Sequence, residues 1–444
     1  MGWYSAITNF AAEQMTGRDR ADDPRGVAAR HEPALFNGLE NGPEPEYRTY
    51  HGVAPLLAMP TRMEPEAVDR VYTAFDVSQP VGQPDDLRGR DREVRSLLSG
   101  VLHRRNHGVV SGPRGSGKTS LVRVFGQCAD REGVVVLYSA CDDGTSFGEL
   151  MRSYLEQIPP EMVDAGSIEL FEQRVLSFGV GSSPYQATGV LAMLKYSQLV
   201  IVLDEFDRIT DPEMHDKISS LLKLVSDARL PVRFVVVGGN SVFADIVRAH
   251  PSLMRHMTRV STAPLADEAI GELLDRCGER CDLRFDQGAR RLIAKLSCGS
   301  PYHARLFGMH GALNALAIQT DEVSLEHVEG GLEDAFEEWA SLNPEDAAVF
   351  EEIIRGVHGS SEELVEFARQ VAYHTADDEL AAQWKLKRRN RVGEEPGGLA
   401  GLGNTIQVKD GHVAFRDATA PQFLLALDQS RRIATREMKG SQRA

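Results

Sequence analysis

Hydrophobic and polar positions alternate along this chain in two distinct rhythms, and the change from one to the other marks its elements. Four short segments carry mainly apolar runs: HGVV (107–110), GVVVLYSAC (133–141), QLVIVLDEFDRI (198–209), whose apolar part ends in acids, and VRFVVVGGN (232–240). Continuous apolar runs of this length, rich in β-branched residues, suit strands covered on both faces. Between them the apolar positions recur at helical spacing, as in GRDREVRSLLSGVLHRR (89–105) and DPEMHDKISSLLKLVSDA (211–228), the second opening on Asp211 as an N-cap with Pro212 in the first turn. Strands alternating with helices predict an α/β chain with a parallel sheet and helices on both sides. Residues 266–340 read as helical throughout, without strand runs. Near the C-terminus, IQVKDGHVAF (406–415) reads as two strands joined by an Asp-Gly turn, followed by the helical FLLALDQSRR (423–432). Helices before a hairpin suit a winged helix, as they suit any terminal hairpin. Residues 1 to 60 lack sustained periodicity, although MEPEAVDRVYTAF (63–75) suits a short helix.

A chain of 444 residues exceeds one ordinary core, so two or three domains are expected. The formal net charge of -16 argues against a general binder of polyanions and leaves a local basic patch open. The five cysteines, at 128, 141, 277, 281 and 298, form no pair of CxxC motifs, and Cys277 with Cys281 cannot complete a zinc shell. Reduced core cysteines and a cytoplasmic location are the expectation. The opening MGWYSAITNF lacks a basic start and is a poor signal peptide, and no apolar run approaches the length of a membrane span.

The chemistry is concentrated after the first strand. GPRGSGKTS satisfies the phosphate-loop pattern G-x-x-x-x-G-K-[ST]: Gly112, Pro113, Arg114, Gly115, Ser116, Gly117, Lys118, Thr119 and Ser120. Glycines there let successive main-chain N–H groups turn inward around phosphate oxygens. Lys118 can reach the β- and γ-phosphates, Thr119 can offer its hydroxyl to Mg²⁺, and the following helix points its positive end at the anion. The third apolar strand ends in acids. Asp204 is suited to hold Mg²⁺ through water, and Glu205 to deprotonate the attacking water. Asp207 reads as support for the loop or a cap for the next helix. Asn240, at the tip of the fourth strand, could bond the γ-phosphate or the water, and could equally be a turn residue after two glycines.

In this order, LRGRDREVRSLL, GPRGSGKTS, LDEFD and Asn240 resemble AAA+ ATPases, in particular their origin-recognition-complex-like branch, across about residues 80 to 340. The resemblance implies a P-loop NTPase parallel-sheet core, a helical lid and a C-terminal winged-helix-like domain. The chain divides accordingly into an N-terminal extension (1–80), the ATPase core (81–265), the lid (266–342) and the C-terminal domain (343–444). It also implies that Leu87, Gly89 and Arg90 lie near the adenine, and that Arg255 is an arginine finger reaching a neighbouring subunit, with Arg259 competing. Arg305 becomes the lid's sensor arginine. Gly299-Ser300-Pro301 departs from the arginine placement of origin-recognition proteins and is similar to the GxP of STAND switch ATPases, which leaves that sensor assignment open.

A basic run after Trp384, comprising Lys385, Lys387, Arg388, Arg389 and Arg391, could grip a DNA backbone, or it could be a solvated linker. His103, His107, His303 and His310 are scattered without metal spacing and read as ordinary packing. The expected function is therefore an ATP- and Mg²⁺-dependent hydrolase that switches conformation. Its state would be coupled to a homo-oligomer through Arg255, to DNA through the basic run, or to a protein effector, with no membrane partner. A STAND-like signalling or defence switch without DNA binding, and a nucleotide sensor with little hydrolysis, are the alternatives.

Overall fold

Four largely apolar segments and one more polar edge strand pair into one parallel sheet: β1 (His107–Ser111), β2 (Val135–Ala140), β3 (Leu199–Asp204), β4 (Val232–Gly238) and β5 (Met257–Ser261), in the spatial order β2-β3-β4-β1-β5. The computed structural model describes residues 64–195, 198–239, 241–357, 361–372, 405–409 and 412–441, all within one unit running from Ala58 to Ala444. Residues 1–63, Asn240 and the basic run from Lys385 to Arg391 lie outside the described residues.

The central strands β1, β3 and β4 are buried on both faces, which explains why they read as nearly continuous apolar runs. On β3, Val200 and Val202 pack with Leu121 and Phe125, whereas Leu199, Ile201 and Leu203 pack with Phe147 and Leu221. The first face is covered by α2 (Asp91–Leu98) and α3 (Lys118–Arg131), which follow α1 (Pro65–Ala74). The second is covered by α4 (Phe147–Leu155), α5 (Ile168–Leu176), α6 (Pro184–Leu191), α7 (Pro212–Asp227) and α8 (Val242–Ala249). Helix starts follow their caps. Ser146 and Ser183 form capping boxes with Glu149 and Gln186, and Asp211 accepts the main-chain N–H of Glu213 at 2.9 Å, as its position before Pro212 predicted. Read as one helix, 89–105 is instead α2 followed by a wider π turn, Ser99–His103. There Gly100 approaches β5 so closely that a Cβ would lie 2.2 Å from Thr258 Oγ1.

Beyond the sheet come α9 (Asp267–Arg280), α10 (Gln287–Ser297), α11 (Pro301–Ala317), α12 (Leu325–Leu342), α13 (Pro344–Ile354) and α14 (Ser361–Val371). The expectation that 266–340 is all helix needs one correction. β6 (Arg284–Phe285) pairs in parallel with β7 (Glu322–Val323), a two-residue ladder too short to leave a periodic signal. The two strands read within 406–415 pair, β8 (Ile406–Lys409) antiparallel to β9 (His412–Phe415), while the expected Asp-Gly turn at 410–411 lies outside the described residues; α15 (Ala420–Ser441) closes the described chain.

Two of the boundaries drawn from sequence do not separate cores. One apolar cluster runs from Val71 and Phe75 through Leu274, Ile293 and Phe307 to Trp339, Phe350 and Phe423. Trp339 stacks between Phe350 (centroids 5.2 Å apart) and Phe423 (4.9 Å), so the last helix shares the lid's core across position 342. α1, assigned to the extension, packs on α9 and α11 instead. Among the described residues no helix is long and apolar enough to cross a membrane.

Candidate nucleotide site

The carboxyl ends of parallel strands are where α/β sheets bind ligands, and here those of β1 and β3 open into a cavity of about 810 Å³. That volume falls in the range of small-molecule sites. Every residue of the phosphate loop from Gly112 to Ser120 lines it, together with Arg90, Asp204, Glu205 and Arg305. The lining also includes the segment after α1 (Asp76 to Val81), Pro301 and Tyr302 of the lid, and Ala418 near the C-terminus.

The loop's shape is set by its glycines and by its underside. Gly115 and Gly117 adopt φ of 77° and 83°, the left-handed region that only glycine enters freely, and α3 starts immediately after them. Gly112 is required for space, because a Cβ would lie 1.9 Å from Thr262 Oγ1. Thr262 pins the loop to the sheet. Its main-chain N–H bonds the Ser111 carbonyl at 2.9 Å, and its hydroxyl lies 2.7 Å from Ser116 Oγ. Arg90, 3% exposed, donates to the Ser116 carbonyl at 3.3 Å. It therefore touches the loop itself as well as the cavity, where it was expected near the adenine. Gly89 is not among the lining residues. With φ of 68° it lets α9 come close, since a Cβ there would meet Ala269 Cβ at 2.6 Å.

Lys118 Nζ donates to the Pro113 carbonyl at 3.0 Å. Burial pulls its pKa below the ordinary value, opposed first by the charge of Asp207 and then by that of Asp204. Asp204 is 2% exposed and both of its oxygens are engaged: Oδ1 accepts the Glu205 N–H at 2.8 Å, and Oδ2 accepts the Tyr138 hydroxyl. Glu205 follows in the left-handed region at φ 52°, an unfavourable position for a non-glycine residue of the kind that clusters at functional sites. Its Oε2 pairs with Arg208 at 2.9 Å. Burial, and then the nearby Asp204, push the Cys141 thiol up to about 12, so it stays neutral beside the carboxylates.

Four features escaped the sequence reading. Asp207 does not cap the next helix, a task Asp211 performs. It lines the cavity and lies against the tip of β4, where a Cβ on Gly238 would be 2.7 Å from its Oδ1. Tyr138 sits in a strand that was correctly read, but its partner Asp204 is distant in sequence. The segment 76–81 contributes a wall, with Val81 N–H bonded to Ser120 Oγ at 3.1 Å and the Asp76 carbonyl accepting Arg305 at 3.2 Å. His303, read as packing, is fully buried and bridges two parts of the chain: Nδ1 lies 2.9 Å from Ser300 Oγ and Nε2 3.0 Å from the Thr419 carbonyl. Ser300 Oγ in turn lies 3.5 Å from the Gly115 carbonyl of the phosphate loop.

Arg255 lies away from the cavity, exposed on the short turn Pro251–His256 before β5. Its competitor Arg259 is stacked over the Phe243 ring at 5.2 Å. Thr119 and Asp204, a hydroxyl and a carboxylate, are the sparse hard-oxygen set that Mg²⁺ uses when phosphates and water supply the other ligands. Among the described residues no group of three or more His, Cys, Asp or Glu could hold a metal ion on its own.

Residues 86–237 match the family model described as the AAA ATPase domain, which spans the phosphate loop and the first four strands as far as Val237. Comparison with curated proteins gave no match. Among solved structures, similarity extends to a Walker-type ATPase of Pyrococcus abyssi, at 17% identity and a TM-score of 0.47, over 79% of this chain and 99% of that one. It extends also to Cdc6p of Pyrobaculum aerophilum, at 14% identity and 0.43, over 82% and 98% of the two chains. The RuvB Holliday junction branch migration motor of Thermotoga maritima is similar at 14% identity and 0.40, over 76% and 95%. The fold is that of the P-loop NTPases, and residues 86–237 within it are similar to the AAA ATPase domain.

Proposed function

We propose that this chain binds ATP with Mg²⁺ between sheet and lid, hydrolyses it to ADP and phosphate, and uses the loss of the γ-phosphate as a conformational switch. One observation carries the reading: Lys118, Thr119, Asp204, Glu205 and Arg305 converge on a single cavity with the whole phosphate loop. The loop's N–H groups and the end of α3 would hold the β- and γ-phosphates. Lys118 would exchange the Pro113 carbonyl for phosphate oxygen. Bound Mg²⁺ would neutralise charge between the two phosphates. Glu205 would take a proton from water as its oxygen attacks the γ-phosphorus and the bond to ADP breaks. Because Arg208 holds Glu205 in this state, release of that pair would gate the step. Asn240, if it reaches the γ-phosphate, would orient the same water.

The switch reading is supported by the path Gly115–Ser300–His303–Thr419, which runs from the phosphate loop through the lid to the segment before α15. A change at the loop would be felt by the C-terminal helices and hairpin, read here as a winged-helix-like domain. This inward contact also favours the second reading, a STAND-like switch whose output is assembly or effector recruitment. Exposed Arg255 would act in a homo-oligomer, and the run from Lys385 to Arg391 would contact DNA if the output is nucleic-acid work.

The test is ATP turnover by the full chain and by Glu205→Gln, with and without DNA. General-base removal should lower turnover by about 10²- to 10⁴-fold while ATP binding persists. Normal turnover by Glu205→Gln would overturn the assignment of the base, and stimulation by DNA would select the nucleic-acid output.

A further inference from the structure

β2 lies beside β3 with Tyr138 opposite Val202 and Ala140 opposite Asp204. Val136, Val200 and Val202 face α3. By strand alternation Tyr138 and Asp204 belong to that same face, as diagonal neighbours on adjacent strands. The phenol spans the diagonal and donates its hydroxyl proton to Asp204 Oδ2, while the Glu205 N–H occupies Oδ1 at 2.8 Å. Above the ring, the Arg123 guanidinium sits 5.2 Å from the centroid. Arg123 is one helical turn beyond Thr119 on α3, so the two side chains share a face of that helix. Tyr138 thus lies between the acid that ends β3 and the helix that presents the threonine hydroxyl.

We propose that Tyr138 is a positioning residue for the divalent cation: its hydroxyl fixes the plane of the Asp204 carboxylate relative to Thr119. This inference rests on the ATPase reading above and assigns a residue that no motif of the sequence names. The chemistry follows from the donors. A carboxylate that accepts one hydrogen bond on each oxygen cannot rotate freely, yet each oxygen keeps a lone pair for a metal-bound water. A phenol beside an ionised carboxylate has only its O–H to offer, so the Tyr138 hydroxyl donates and Asp204 accepts. Partners of this kind behind a metal ligand typically govern about 10- to 100-fold in metal affinity.

The test is Tyr138→Phe in the full chain, with ATPγS as the nucleotide and Mn²⁺ as the metal probe, free Mn²⁺ being followed by electron paramagnetic resonance. Nucleotide affinity is measured separately in EDTA. The expected result is Mn²⁺ affinity weakened by about 10- to 100-fold with metal-free ATPγS affinity unchanged, because Phe removes one oxygen and keeps the ring under Arg123. Equal Mn²⁺ affinity in the two proteins overturns the proposal. So does parallel loss of metal-free binding, which would make Tyr138 a support of the fold. Tyr138→His, which restores a donor on a ring, should recover part of the lost affinity, and no recovery would count against the hydroxyl's role. If the unaltered protein itself binds no Mn²⁺ with ATPγS, the ATPase reading fails rather than this inference.

Discussion

Acid should destabilise this protein partly through His303, and the size of the effect follows from its surroundings. Burial, opposed by the bond to the Thr419 carbonyl and the charge of Asp417, pulls the His303 pKa from its ordinary 6.5 down to about 3. The unfolded chain takes up a proton as pH falls through 6.5, whereas the folded chain does not until about pH 3. Across that window the unfolded state binds more protons, so stability rises with pH and is lost on acidification. With these two pKa values the loss between pH 7 and pH 5 is about 2 kcal/mol. The perturbation is His303→Asn, which keeps a donor and an acceptor near Ser300 and the Thr419 carbonyl but does not titrate. Urea unfolding followed by tryptophan fluorescence at pH 7 and pH 5 gives the comparison. The unaltered protein should lose about 2 kcal/mol more than the variant over that interval. Parallel losses in the two proteins would refute the claim that His303 is held neutral. His107, likewise buried and pulled down to about 3, acts in both proteins and cancels.

Two other outcomes are expected. Phe423→Ala removes a fully buried ring that stacks on Trp339 at 4.9 Å, and should cost about 3–5 kcal/mol in urea unfolding; a cost under about 1 kcal/mol would mean α15 is not part of the lid's core. Arg255→Ala should leave ATP affinity unchanged and lower turnover by about 10³-fold or more only at concentrations where subunits assemble, and a protein whose turnover is independent of concentration and of this substitution would exclude the finger.

What could be read from the sequence was what is encoded locally. The strands are apolar on both faces because helices cover both sides of the sheet, and the phosphate loop announces itself through glycines whose positive φ is a local requirement. Asp211 beside Pro212 gave a helix start for the same reason. What could not be read depends on distant segments meeting. Asp207 looked like one more acid in a loop until β4 was laid beside it. Tyr138 was one apolar-run residue among several, although pairing the two acid-proximal strands in parallel register would have brought it diagonal to Asp204. Residues 76–81 carried no motif, yet they line the cavity beside the phosphate loop. His303 was indistinguishable from other histidines because its partners, Ser300 and Thr419, lie far apart in the chain. The contact across position 342 was equally hidden, since nothing local in FLLALDQSRR reveals that Phe423 will stack on Trp339.

The most direct measurement is calorimetric titration of the full chain and of Lys118→Ala with ATPγS and Mg²⁺. The account predicts saturable binding at one site per chain, abolished when the ammonium that reaches into the loop is removed. Unimpaired binding by Lys118→Ala, or no binding by the unaltered chain, would contradict it.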